Sequence, residues 1–353
     1  MIDFRYHLVS LVAVFIALAI GIVLGAGPLR ENLGEQLTEQ VEQLRVDRDQ
    51  MRTENIELTD DNADLTAYIA ASGEDLVYGT MPGASVTLIL DHDSLMEDAQ
   101  AVQTLVDAAG GSVQDIVVLQ PSLWDPAKQQ DRRTVARELQ ATWPAVITAP
   151  EVADGDLSAV IARTFGASDA ATSVELTDAE RTEIAAMLVD RGYVTASVPQ
   201  VRAADALAYL SGDASLRTVA SDTPEVSTAR SQAFTQMQES LVTASLRQAE
   251  VTLVASTSTS PATSEGIVRT VRTTETFAGV ASVDGLDNPS APAVITLGLA
   301  EAFTGTPGAF GTANDATALL PSAKDLRARL AQNSGSQDSG GQDSGTASDG
   351  GRG

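Results

Sequence analysis

The chain has 353 residues and a net charge of −26, with 22 Lys+Arg against 48 Asp+Glu, so it repels phosphate backbones and argues against nucleic-acid binding. It has no cysteine, which removes disulfides, thiolate zinc sites, iron–sulfur clusters and cysteine nucleophiles. Hydrophobic residues at 43% allow a real core, and aromatics at 4% make it a core of Ala, Val and Leu.

Residues 8–27 carry no charge and, at about 30 Å as a helix, are long enough to cross a hydrocarbon core. A cleaved signal peptide competes, since Arg5 precedes the run and Gly25-Ala26-Gly27 imitates a small-residue cleavage site. The run is longer than a usual signal core, however, and Pro28 would stand just after the cut. The expectation is a transmembrane anchor over residues 8–28, with residues 1–7 a short cytoplasmic tail and the acidic bulk extracytoplasmic. That makes a single-pass cell-membrane protein. Ala13, Ala17, Gly21 and Gly25 recur every four residues, and small residues on one stripe let two backbones approach closely in lipid. They are the expected membrane dimer face.

Residues 29–72 read as a stalk. Leu37, Leu44, Met51, Leu58 and Leu65 are spaced seven apart, and with these at d, positions a are Val41, Arg48, Asn55, Asn62 and Ile69. Leu at d with Asn at a is the pattern of a parallel two-stranded coiled coil, where buried amides set register at some cost in stability. Asp47 faces Arg52 of the partner helix in the same scheme. The stalk would span roughly 50 Å. Anchor and stalk ask for the same geometry, a parallel homodimer. Ser72-Gly73 and Met81-Pro82-Gly83 mark its exit.

Residues 84–331 alternate short apolar runs with amphipathic segments. Strands are predicted at 85–91, 113–119, 193–198, 251–255 and 278–283, and helices at 95–109, 132–143, 157–165, 179–190, 232–249, 265–272 and 292–303. This alternation predicts an α/β domain with a mainly parallel sheet. Residues 332–353 are an acidic tail rich in Gly and Ser, predicted to be disordered.

The α/β pattern directs attention to the carboxyl ends of the strands. GxGxxG, the Walker loop and G-x-S-x-G are all absent, and only Lys128 and Lys324 are lysines. The suggestive cluster is Asp91-His92-Asp93-Ser94, after the first predicted strand. Phosphoryl transfer through Asp91 would need a supporting lysine and further carboxylates. A metal reading uses His92 with Met96 one helical turn on, two donors of the six methionines and two histidines in the chain. The plain alternative is a turn in which Asp93 or Ser94 caps the helix and Asp91 lies in a solvated loop. Gly305-Thr-Pro-Gly308-Ala-Phe-Gly311 reads as a capping loop that needs positive φ. No complete catalytic constellation emerges, and the expectation is a protein that is not an enzyme.

The segment Arg5-Tyr-His7-Leu-Val-Ser10, continuing through Gly21-Ile-Val-Leu-Gly25, resembles the opening of the actinobacterial family of the copper transporter MctB. The similarity continues through the coil, the α/β domain, Ser282-Val-Asp284 and Gly305-x-x-Gly308-x-Phe310-Gly311. The resemblance implies an envelope protein in copper transport or homeostasis, with copper as the possible bound ion. Some members of similar layout, of SteB-like type, are implicated instead in cell separation, and the resemblance to them implies pairing with an envelope or division protein. Thr312-Ala-Asn-Asp315 follows the glycine loop without the histidine expected of a copper-handling member.

Overall fold

The computed structural model describes residues 4–167, 174–196, 200–213, 219–257 and 266–339. They fall into two compact units, Met1–Ala67 and Tyr68–Gly353.

The first unit is one uninterrupted helix, the greater part of α1 (Phe4–Val77). Its stretch Arg5–Gly25 has a mean hydropathy of 2.9 and is long and apolar enough to cross a membrane. A Cβ added at Gly21 or Gly25 would meet nothing within 4 Å in the single chain. Farther along, Gln43–Asp47 and Gln50–Glu54 hydrogen bonds and the Glu42–Arg45 ion pair link successive turns. Leu37, Leu44, Met51, Leu58 and Leu65 stand 59–69% exposed.

The helix does not stop at Ser72-Gly73, where turn chemistry predicts the exit. Ser72 turns its hydroxyl back onto the carbonyls of Tyr68 and Ile69, which keeps it within the helix at a slight cost. Gly73 continues the helix beside Leu105, where an added Cβ would make ordinary contact at 3.4 Å. The true end is at Val77, where Arg327 donates to the carbonyls of Asp75 (2.9 Å), Leu76 (2.7 Å) and Tyr78 (3.0 Å). These are the acceptors that a helix end leaves without partners.

The second unit is a seven-stranded sheet in the order β3-β2-β1-β4-β5-β6-β7. The strands are β1 (Ser85–Leu90), β2 (Ser112–Leu119), β3 (Val194–Ala196), β4 (Ala206–Ser211), β5 (Val251–Ser256), β6 (Val280–Asp284) and β7 (Ala309–Phe310). All neighbours run parallel except β2 and β3. Side chains alternate between two apolar layers, as period-two strands buried on both faces require. Ile89, Leu207, Tyr209 and Val254 face α3 (Gln129–Thr142), α5 (Ser158–Phe165), α6 (Asp178–Asp190), α7 (Pro224–Gln248) and α8 (Ile267–Thr273). Leu88, Leu90, Leu210 and Leu253 face α2 (Met96–Ala108), α9 (Ala291–Phe303) and α10 (Ala323–Ser339).

The parallel α/β architecture is as predicted. Sequence reading omits β4, the strand at the centre of the sheet, whose six residues are all buried. Ala-Leu-Ala-Tyr-Leu-Ser has no β-branched residue and no alternation, so tertiary pairing decides its conformation. The short α4 (Ala149–Asp154), the two-residue β7 and α10 are also additions. α10 runs to Ser339, into the segment predicted to be structureless, and residues 340–353 lie outside the described residues. The end of the strand predicted over 193–198 lies partly outside them as well.

Candidate functional site at the carboxyl ends of the strands

From β1 the chain steps outward to β2 and returns to β4 on the other side of β1. The carboxyl ends of β1 and β4 therefore border the switch point at which open α/β sheets collect ligands. The register sets Ser211, Ser256 and Asp284 side by side at the ends of β4, β5 and β6. Asp91 extends this row, its N–H donating to the Leu210 carbonyl at 3.2 Å.

Asp91 is a correction to the sequence reading. It is buried, where a solvated loop is expected. Its carboxylate accepts from the Tyr209 hydroxyl (3.1 Å), the Ser211 hydroxyl (2.8 Å) and the Gly212 N–H (2.8 Å). Gln238 of α7 donates in turn to Tyr209 (2.9 Å) and Ser211 (3.1 Å). A buried carboxylate is tolerable because these donors replace the water it loses. They come from β4, the unforeseen strand, so the fate of Asp91 was unreadable.

The cap is also reassigned. The ring Nδ1 of His92 accepts from the Ser94 N–H at 3.1 Å, the role expected of Asp93 or Ser94 themselves. A single 3₁₀ turn, Asp93–Leu95, intervenes before α2 and moves the cap one position back. The same nitrogen lies 2.9 Å from the Ser94 hydroxyl and 3.1 Å from Asp93. Met96 opens α2 and packs, half-buried, against the apolar layer beneath it. Among the described residues, no three of His, Cys, Asp and Glu converge as a metal site.

A second cluster joins two stretches that the sequence reading singles out separately, Ser282-Val-Asp284 and the glycine loop. Arg272 of α8 donates to Ser282 (3.0 Å), Asp284 (2.9 Å), Asp315 (2.8 Å) and the Phe310 carbonyl (2.8 Å). Asp284 also accepts from the N–H groups of Thr312 (2.7 Å) and Ala313 (3.0 Å). Gly311, at φ 126°, lies so near this carboxylate that a Cβ would collide with it. Of the loop's other glycines, Gly305 has positive φ as expected and Gly308 does not. The guanidinium is spent on holding β6, β7 and the following loop together. A cleft of about 670 Å³ runs beside it, lined by Phe277, Phe310, Leu320 and Asp315 among others. Arg272 carried no signal in the sequence, being one of two arginines on a short helix.

This chain, over residues 1–321, matches the family described as "Copper transport outer membrane protein, MctB". It belongs to the MctB family. Similar proteins named "Copper transporter MctB" occur in Mycobacterium tuberculosis (strain ATCC 25618 / H37Rv), at 28% identity, and in Mycobacterium leprae (strain TN), at 33%. Each alignment covers 198 residues, 55% of this chain and 62% of the relative, which is less than two thirds of the relatives' length.

The donor chemistry can be set against that family description. Copper(I) favours thiolate, thioether and imidazole ligands. The chain offers no cysteine, two histidines and six methionines. Met51 stands exposed on α1, Met81 and Met237 are buried in the core, and Met96 and Met187 pack against it. Among the described residues, no three of His, Cys, Asp and Glu supplement these thioethers as a metal site. The family relation to copper rests on the match, and the preformed chemistry at the sheet's carboxyl edge is that of hydrogen-bonded carboxylates.

Proposed function

We propose that the protein is a single-pass component of the cell envelope that serves copper transport or homeostasis without catalysing a reaction. The short amino-terminal tail lies in the cytoplasm and the α/β unit outside it. Two copies pair in parallel through the anchor stripe and the heptad seam. The family match over residues 1–321 carries the copper assignment. The exposed d residues of α1 support pairing, because an apolar seam left in water is unfavourable and a second copy covers it. A lone transmembrane helix forms no pore, so the contribution to transport is that of a partner or sensor in the envelope.

Copper titration of the detergent-solubilised full chain, under reducing and oxidising conditions and beside His92→Ala, tests the assignment. Saturation near one ion per chain, lost in the variant, would place copper at the turn before α2. Heat no greater than that of an unrelated acidic protein would remove direct copper handling. A second reading would then lead, in which the dimer is a scaffold recruiting cell-separation or peptidoglycan-hydrolase regulators. The long seam of α1 favours it, and Asn55→Glu with Asn62→Glu should then abolish both dimer and recruitment.

A further inference from the structure

The connection leaving β2, the N-terminal half of α7 and the end of α4 enclose a polar cleft of about 520 Å³, within the range of small-molecule sites. β2 and β4 flank β1, and both the β2 exit and α7 follow carboxyl ends of those strands. The cleft thus belongs to the switch-point side of the sheet, where such folds place ligands. Gln238 on α7 holds the Asp91 network, and Met237 beside it lines the cleft.

Arg132 is the informative wall residue. It is 6% exposed and forms no ion pair with any described residue. Its Nη1 donates to the carbonyls of Ser122 and Asp125, both at 2.8 Å. A guanidinium has five N–H donors, so those on Nε and Nη2 remain. Among the described residues no hydrogen bond uses either nitrogen, and Arg132 lines the cleft. Burial pushes this guanidinium's pKa down, while Tyr193, Asp125 and Asp156 act against the shift at longer range. A carboxylate matches the open fork in shape and charge.

A free anion is the wrong ligand for a chain of net charge −26, and Asp154 also lines this cleft. Asp156 is already committed to the Ser158 N–H and to the hydroxyls of Ser158 and Ser240. Asp154 is exposed, with no such partners. One cleft therefore presents an unsatisfied cation and an uncommitted carboxylate, and Gln129, Gln232 and Gln236 also line it.

We propose that this cleft binds a small zwitterion of the amino-acid type, its carboxylate on Arg132 and its ammonium on Asp154. The site goes beyond the copper reading and does not depend on it. The test is ligand-observed NMR on the detergent-solubilised full chain with EDTA present, using glycine, L-alanine and L-glutamine against acetate and methylammonium. At least one amino acid should saturate, with the single-charge probes at least tenfold weaker. Arg132→Gln and Asp154→Asn should each weaken binding at least tenfold. Asp154 is exposed, so its variant folds even where loss of Arg132 disturbs the Ser122–Asp125 turn. Absence of saturation with every amino acid, acetate binding as tightly as glycine, or full binding by Asp154→Asn would each overturn the proposal.

Discussion

The helix over residues 4–67 and the α/β unit treat the same side-chain types in opposite ways. In the α/β unit Leu88, Leu139 and Phe165 are sealed from solvent, and ionised groups such as Asp91 and Arg181 go inside where they find partners. Asp91 accepts from three donors, and Arg181 donates to the carbonyls of Arg163, Thr164 and Gly166. On α1 the heptad leucines have no protein around them in a single copy. One region is complete within its own chain. The other leaves its apolar residues exposed, and the proposed covers are lipid along Arg5–Gly25 and a second copy beyond it.

The contrast breaks most visibly by truncation. Phe165→Ala, at a position sealed on all sides, should cost about 4 kcal/mol in urea unfolding of the α/β unit. Leu58→Ala should leave that transition unmoved and instead weaken association of the full chain, read by light scattering. A shift of the α/β midpoint by Leu58→Ala would show that the two regions unfold together.

The next effect is electrostatic. Glu151 and Arg163 form a two-pronged pair at 2.7 and 2.8 Å, mostly shielded from water. Burial alone would raise the Glu151 pKa, but hydrogen bonds from Arg163 and Thr148 outweigh it and hold the group below its ordinary value. Its stabilising contribution is thus complete above the unfolded-state pKa and is lost as pH falls through the lower folded value. Glu151→Gln should cost about 3 kcal/mol at pH 7, by leaving Arg163 unpaired, and should flatten the acid limb of stability against pH. An unchanged acid limb would assign acid sensitivity to other carboxylates.

The same contrast explains what was legible. Periodicity registers one element against one environment, so the heptad of α1 and the alternating strands and helices could be read directly. Connections made by distant residues could not. β4 is a strand because β1 and β5 pair with it, since its own sequence carries no strand period. Asp91 is buried because β4 supplies hydroxyls, and the terminal carbonyls of α1 are met by Arg327 about 250 residues later. The carboxyl-edge location was legible from fold class alone, while the partners of Asp284 and Arg132 waited on the packing.

A gain-of-stability pair sharpens the proposal for α1. Asn55 and Asn62 at a positions would exchange buried amides across a dimer, fixing register at the expense of stability. Replacing both by Leu should raise the thermal stability of the stalk by about 2 kcal/mol. The same change should broaden the oligomeric state, since apolar a positions no longer exclude higher assemblies. Loss of stability in this double variant would mean that these positions face solvent rather than a second helix.

The smallest effect belongs to a group that the α/β unit accommodates poorly. Asp98 sits partly buried on α2, and its pKa is raised by burial first and then by the neighbouring charges of Glu97 and Asp287. A raised folded value means that the fold prefers the protonated acid. The unfavourable term is therefore absent below the unfolded-state pKa, about 4, and grows as pH rises through the folded one. Asp98→Asn removes it and should stabilise the unit by about 0.5 kcal/mol at pH 7. At pH 3 the variant and the parent should unfold together, because the parent's carboxyl is then neutral as well. Urea midpoints at the two pH values decide it: an equal gain at both would trace the effect to helix packing rather than to charge. A gain confined to pH 7 would identify Asp98 as a charge that the α/β unit keeps at a cost, unlike Asp91, whose three donors make burial acceptable.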